Sequence, residues 1–414
     1  MSSALWGTIL LAACGTDPKP APTTDTTPTA VTDDADGDGY PSPDDCDDAD
    51  SASFPGGLEI LGDAADGDCD GDPDRTVATP LADLAASGIW GVDLGADADD
   101  VWLLVTADAY ASPQGDATKA VYVARYRSNL DDFKQEFWSG YLRGEPPAWT
   151  AGADFYVDDD VLVWAAPYVD GGERNVSVEV LPNGTVDDQG MRILAYVDSA
   201  FADVDLLALD DGTFLIAGCD PAEGELVVMH GTAAQFTAVD AAYGYAFAVP
   251  ASTCAVGALA GAMVVADPDG STFDLYTWSD EAGLAYSVGI PGHTGFDLDT
   301  LQVDGQVLQA VAEGLSGLRL TTPAGESWWA GASVYEVDLI AAEGADLVSA
   351  VLDRDGAPWL VWGAAGGELR GVWLGATLPV GHDIAATWTP EGDLVVAVAN
   401  DEAVTWARFG LPPG

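Results

Sequence analysis

The stretch Val348-Ser-Ala-Val-Leu-Asp-Arg-Asp-Gly-Ala-Pro-Trp-Leu-Val-Trp362 decides the fold. Two apolar runs rich in Val, Leu and Trp flank an acidic turn that carries Gly356. Glycine permits the turn, and short apolar runs on either side of it read as paired strands, so the stretch predicts a β-hairpin. The same plan recurs in Leu206-Leu-Ala-Leu-Asp-Asp-Gly-Thr-Phe-Leu-Ile-Ala217 and in Ile384-Ala-Ala-Thr-Trp-Thr-Pro-Glu-Gly-Asp-Leu-Val-Val-Ala-Val398. A third apolar strand follows a Gly-rich turn at Glu368-Leu-Arg-Gly-Val-Trp-Leu374. No amphipathic helix stands out.

Working outward, equivalent strand positions fall near Asp93, Asp154, Asp205, Ala246, Asp299, Asp338 and Asp383, at intervals from 39 to 61 residues. The mean, about 48, lies in the range of propeller-blade repeats. The pattern resembles the degenerate β-propeller repeats of bacterial surface proteins, particularly in the run Asp353 to Trp362. That resemblance implies an all-β fold, a β-propeller of about seven blades over residues 77–414, with six and eight as neighbouring counts. A pair of β-sandwiches is the rival architecture. The uncharged run Ala241 to Ala266 is long enough to span a bilayer. Yet Tyr243, Tyr245, Phe247 and Val249 alternate with other residues before Pro250, which is the period of a strand, so the run reads as buried β-structure.

The 414 residues include 69 Asp and Glu against 13 Lys and Arg, a formal net charge of -56 and a pI of about 4.1. Nucleic acid and anionic lipid headgroups are repelled by such a chain. With 48% hydrophobic residues it fills a core and is not disordered.

At the N-terminus, a short apolar run ends in Leu11-Ala12-Ala13-Cys14. These residues resemble the lipobox of bacterial lipoproteins, although no Lys or Arg precedes them. The resemblance implies a signal peptide over 1–13, diacylglycerol on Cys14, membrane attachment through that anchor and, with Gly15 next, an outer-membrane location facing the periplasm or the cell surface. Residues 14–32 are rich in Pro and Thr and read as an extended tether.

Residues 33–76 form a third unit. Between Asp33 and Asp74 lie sixteen acidic residues and no basic one. Within it, Asp34, Asp36 and Asp38 occupy positions 1, 3 and 5 of an EF-hand-type loop, Gly39 position 6 and Asp45 position 12. Tyr40 at position 7 offers a backbone carbonyl and Ser42 at position 9 a hydroxyl or a bridging water. Alternate oxygens on a tightly turning loop suit a hard dication, and the segment lacks His and Met, so calcium is expected rather than copper. Asp45 is one methylene shorter than the usual Glu, and the expected dissociation constant is on the order of 0.1 to 1 mM. Asp66, Asp68 and Asp70 begin a second loop with Gly71 at its sixth position, which is incomplete because position 12 is Val77.

Asp36-Gly-Asp-Gly-Tyr40, Asp45-Cys-Asp-Asp48, Pro55-Gly-Gly-Leu-Glu-Ile60 and Asp68-Cys-Asp-Gly71 together resemble the metal-binding motif family named after a methanotroph copper-binding surface protein. Leu61 stands where many members of that family carry a third cysteine.

Besides Cys14 there are four cysteines, which allow three pairings in an oxidising compartment. Cys46 with Cys69 is preferred because both lie in one compact acidic segment. By elimination Cys219 then meets Cys254, although two buried thiols would read the same.

His230, His293 and His382 are isolated among β-type residues. His382 and Asp383 are neighbours on a strand, point to opposite faces, and form no dyad there. There is no nucleophile elbow, phosphate loop or zinc-protease motif. Of the adjacent pair Trp328-Trp329, one indole is expected to face outward if the segment is a strand. The expectation is therefore a non-enzymatic surface lipoprotein in which a calcium-ordered stalk presents a propeller to a protein or glycan. The alternative is a propeller hydrolase acting on extracellular glycan or ester substrates.

Overall fold

The computed structural model describes residues 34–42, 44–55, 57–61, 65–69, 71, 79–80, 86–111, 117–127, 133–139, 154–158, 161–170, 173–182, 192–197, 203–209, 211–220, 225–238, 242–247, 253–259, 262–266, 272–279, 283–291, 297–303, 306–322, 325–341, 346–364 and 366–411. Cys14, the tether, Asp70 and His293 lie outside them.

Almost all regular structure is β. After a two-residue strand β1 (Thr79–Pro80) come β2 (Ala86–Ala96), β3 (Asp100–Ala111), β4 (Ala117–Arg127) and β5 (Phe133–Ser139), paired in that order as one antiparallel sheet. The second sheet is β6 (Asp154–Val157), β7 (Val161–Asp170), β8 (Glu173–Pro182) and β9 (Arg192–Val197). The third joins β10 (Asp203–Ala208), β11 (Thr213–Asp220), β12 (Glu225–Thr232) and β13 (Ala242–Phe247), and the fourth β14 (Thr253–Leu259), β15 (Ala262–Ala266), β16 (Thr272–Ser279) and β17 (Gly283–Pro291). Next are β18 (Asp297–Val303), β19 (Gln306–Ala312), β20 (Leu318–Thr322) and β21 (Gly325–Trp329), then β22 (Val334–Ala341), β23 (Asp346–Asp353), β24 (Pro358–Ala364) and β25 (Arg370–Trp373). The last sheet holds β26 (Asp383–Trp388), β27 (Leu394–Ala399) and β28 (Val404–Phe409), and its fourth strand is β1 from the start of the domain, with Thr79 opposite Trp406.

All three hairpins expected from the sequence form, in β10–β11, β23–β24 and β26–β27, with Leu206 opposite Ile216, Val348 opposite Trp362 and Ile384 opposite Val398. Their turns are closed by side chains as well as by glycine. Asp353 Oδ1 accepts from the amides of Asp355 and Ala357, and its Oδ2 accepts from the Trp359 indole at 3.2 Å. Asp97 repeats the device before β3, accepting from Asp99, Asp100 and the Trp102 indole. Within the uncharged run 241–266, the described residues are strand, in β13, β14 and β15.

The architecture is β-propeller-like, with seven small sheets among the described residues and not the two stacked sheets of a sandwich. The sheets pack face to face. In β27, Val395, Ala397 and Ala399 pack with Val92, Leu94, Val101, Leu103 and Val105 of the first sheet. The alternate residues Leu394, Val396 and Val398 pack with Val348, Ala350, Leu360 and Trp362 of the sixth. Because neighbouring side chains on a strand leave opposite faces, a strand buried on both sides must read as continuously apolar, as Leu-Val-Val-Ala-Val-Ala does.

Two expectations need correction. Ala246 is not equivalent to the six aspartates. It lies on β13, the fourth strand of its sheet, whereas the six lie on first strands; the first strand that follows is β14, whose sequence has no aspartate to mark it. One helix also exists among the described residues, Ala233–Ala238. Thr232 Oγ1 accepts from the Gln235 amide, and Gln235 Oε1 accepts from the Thr232 amide at 2.8 Å, a reciprocal cap that Thr232-Ala-Ala-Gln235 encodes.

Candidate functional site

The acidic segment is compact and crosslinked. Cys46 and Cys69 form a disulfide with Cα atoms 5.5 Å apart. The side chains of Cys219 and Cys254 lie outside the described residues.

The first loop turns around Asp34. Its Oδ1 accepts from the Gly37 amide at 2.7 Å and its Oδ2 from the Gly39 amide at 3.2 Å. Gly37 and Gly39 have φ of 87° and 102°, a region L side chains rarely adopt, which is why glycine alternates with aspartate here. Asp34, Asp36 and Asp38 each offer a carboxylate oxygen within 4.8 Å of the others. Asp36 Oδ2, Asp38 Oδ2 and Asp45 Oδ2 are buried and receive no donor. Asp45 itself is 7% exposed. Burial raises the pKa of Asp36, and repulsion from Asp38, Asp45 and Asp34 adds to it. Tyr40 stacks on Phe54, with ring centroids 5.4 Å apart, and its amide donates to Asp38 Oδ1. Ser42 is exposed. Asp48, given no role from the sequence, accepts from the Ala35 amide at 2.9 Å and so ties the loop's entry to its far side.

The second half-loop copies the first at its start. Gly71, at φ 95°, donates its amide to Asp66 Oδ2 at 2.9 Å, as Gly39 does to Asp34. Asp66 and Asp68 are joined by Glu59, and the three offer carboxylate oxygens within 4.8 Å of one another. Glu59 is fully buried, its Oε1 accepting from the amides of Gly67 and Asp68. Burial pushes its pKa up to about 7.

The segment is not a free stalk. Leu61 donates its amide to the Gly410 carbonyl at 3.0 Å, Gly410 donates back to the Glu59 carbonyl, and Leu61 is fully buried among Phe409, Leu394 and Leu374. The Leu58-Glu-Ile-Leu61 run is what docks it on the last sheet.

On the first strands, aspartates bind successive sheets together. Asp93 Oδ2 accepts from Phe155, Asp154 Oδ2 from Leu206, Asp297 Oδ2 from Val337, Asp299 Oδ2 from Leu339, and Asp338 Oδ2 from Ala386. Asp383 Oδ2 accepts from Val92, returning to the first sheet. Desolvation raises the pKa of Asp93, Asp154 and Asp299 well above the ordinary range and that of Asp338 and Asp383 to about 7 and about 8.

As for catalysis, His230 Nε2 lies 3.0 Å from Thr213 Oγ1, and His382 Nδ1 3.8 Å from Asp401 Oδ1, while Asp383 is engaged with Val92. Trp328 is 47% exposed with Arg319 over its ring, and Trp329 is buried against Trp359. No described helix is long and apolar enough to cross a membrane.

No family model matches the chain, and no curated protein matches it. Among solved structures it is similar to BBS1N, solved in complex with ARL6DN and soaked with lead, at a TM-score of 0.44 and 12% identity, over 81% of this chain and 96% of that one.

Proposed function

We propose that the chain is a non-enzymatic lipoprotein of the bacterial outer membrane, held by Cys14, in which a calcium-binding acidic module is clamped to a seven-bladed β-propeller that binds a surface protein or glycan. The observation that carries the calcium reading is the set of donor-less, buried oxygens on Asp36, Asp38 and Asp45. Buried carboxylate oxygens normally have partners, and loop positions 3, 5 and 12 are those that face a cation. Asp34 and the carbonyl of Tyr40 complete the set, with Ser42 contributing directly or through water. Closure of the seven sheets into a ring is supported by the contribution of β1 to the last sheet and by the Asp383 bond back to β2. The lipid anchor rests on the Leu11-Ala12-Ala13-Cys14 resemblance.

Calorimetry tests the calcium site. Binding at millimolar calcium that Asp36→Ala with Asp38→Ala removes is expected, and unchanged heats in that variant would overturn the assignment. Palmitate labelling tests the anchor: Cys14→Ala should abolish it.

A further inference from the structure

We infer that Glu59, Asp66 and Asp68 form a second, separate site for a hard divalent cation, at the point where the acidic module meets the last β-sheet. From the sequence this loop is incomplete, because Val77 occupies the position that should carry the closing carboxylate. The fold supplies that carboxylate from outside the loop. Glu59 belongs to the preceding run Leu58 to Leu61, and its side chain reaches back under the turn at Asp66 and Gly67.

Three features distinguish this cluster from a merely acidic surface. Glu59 Oε1 is satisfied by two amides, but Oε2 is buried with no donor in a residue of 0% exposure. Asp66 shows the same division, with Oδ2 held by the Gly71 amide and Oδ1 buried without a partner. The oxygens also have the right spread: ligands at about 2.3–2.6 Å from one calcium ion lie at most about 5 Å apart, and these lie within 4.8 Å. Amides thus fix one oxygen of Glu59 and one of Asp66 and leave the other buried without a donor, beside Asp68. A Cβ on residue 67 would meet the Leu58 carbonyl oxygen at 2.5 Å and Glu59 Oε1 at 3.0 Å, so glycine there lets the turn close over Leu58 and Glu59.

The backbone of Glu59 accepts from Gly410 while its side chain enters the cluster. A cation there would neutralise buried charge in the two-residue bridge that docks the module.

The test is calorimetric titration of the detergent-solubilised full chain with calcium chloride. Two ions per chain are expected for the wild type, and one each for Glu59→Gln and for Asp36→Ala with Asp38→Ala. Gln keeps the oxygen that Gly67 and Asp68 address; Asp66→Asn provides a second variant at the less buried carboxylate, expected to bind one ion. Two ions retained in both Glu59→Gln and Asp66→Asn would overturn the inference. So would a single wild-type ion lost only with Asp36 and Asp38, whereas a single ion lost only with Glu59 and Asp66 would uphold it and overturn the first loop instead. A wild type that binds no calcium would overturn both.

Discussion

Asp383 and Val92 are 291 residues apart in sequence, yet the Asp383 carboxylate accepts the Val92 amide at 2.7 Å. This bond joins the last sheet to the first. Equivalent aspartates on β2, β6, β18 and β22 make the same reach to the next first strand.

Removing the acceptor should therefore cost more than a surface change. Asp383→Ala leaves a buried amide without a partner, worth about 1–3 kcal/mol. Asp383→Asn keeps an oxygen in place and should lose less. Urea unfolding of both variants measures this, and equal midpoints for Ala and wild type would refute the linking role.

The same carboxyls set an unusual pH dependence. An unfolded Asp titrates at about 3.9, whereas burial raises Asp338 to about 7 and Asp383 to about 8. Between those values the folded chain holds more protons than the unfolded one, so stability falls as pH rises from about 4 to about 8. Melting with chelator present should give a higher Tm at pH 5 than at pH 8. Lower surface repulsion at pH 5 acts in the same direction, so the diagnostic is Asp383→Asn, which should flatten the slope; an unchanged slope would remove Asp383 as its source.

Leu61 ties the module to the domain by packing. Truncating a fully buried Leu to Ala typically costs about 2–5 kcal/mol. Leu61→Ala should lower the melting temperature of the β domain and raise protease cleavage within residues 33–74. Faster cleavage with an unshifted domain melt would mean that Leu61 is no part of the domain's core.

Local chemistry made much of this protein legible in its residues. Alternating Asp and Gly in the acidic segment set the first loop because its contacts span a few residues, and Asp-Gly turns between apolar runs set the hairpins for the same reason. That one indole of the pair Trp328-Trp329 faces outward was legible because strand neighbours leave opposite faces, and the structure shows it to be Trp328. Only the tertiary structure decided what depends on contacts between distant residues. Glu59 shows no ligand spacing in sequence, since Asp66 and Asp68 come from a later turn whose amides hold the Glu59 side chain, while Gly410 holds its backbone. The aspartates of the first strands were visible as a repeat. Their role was not, because each bonds to a strand of another sheet, and periodicity records which face a residue takes but not what lies opposite it.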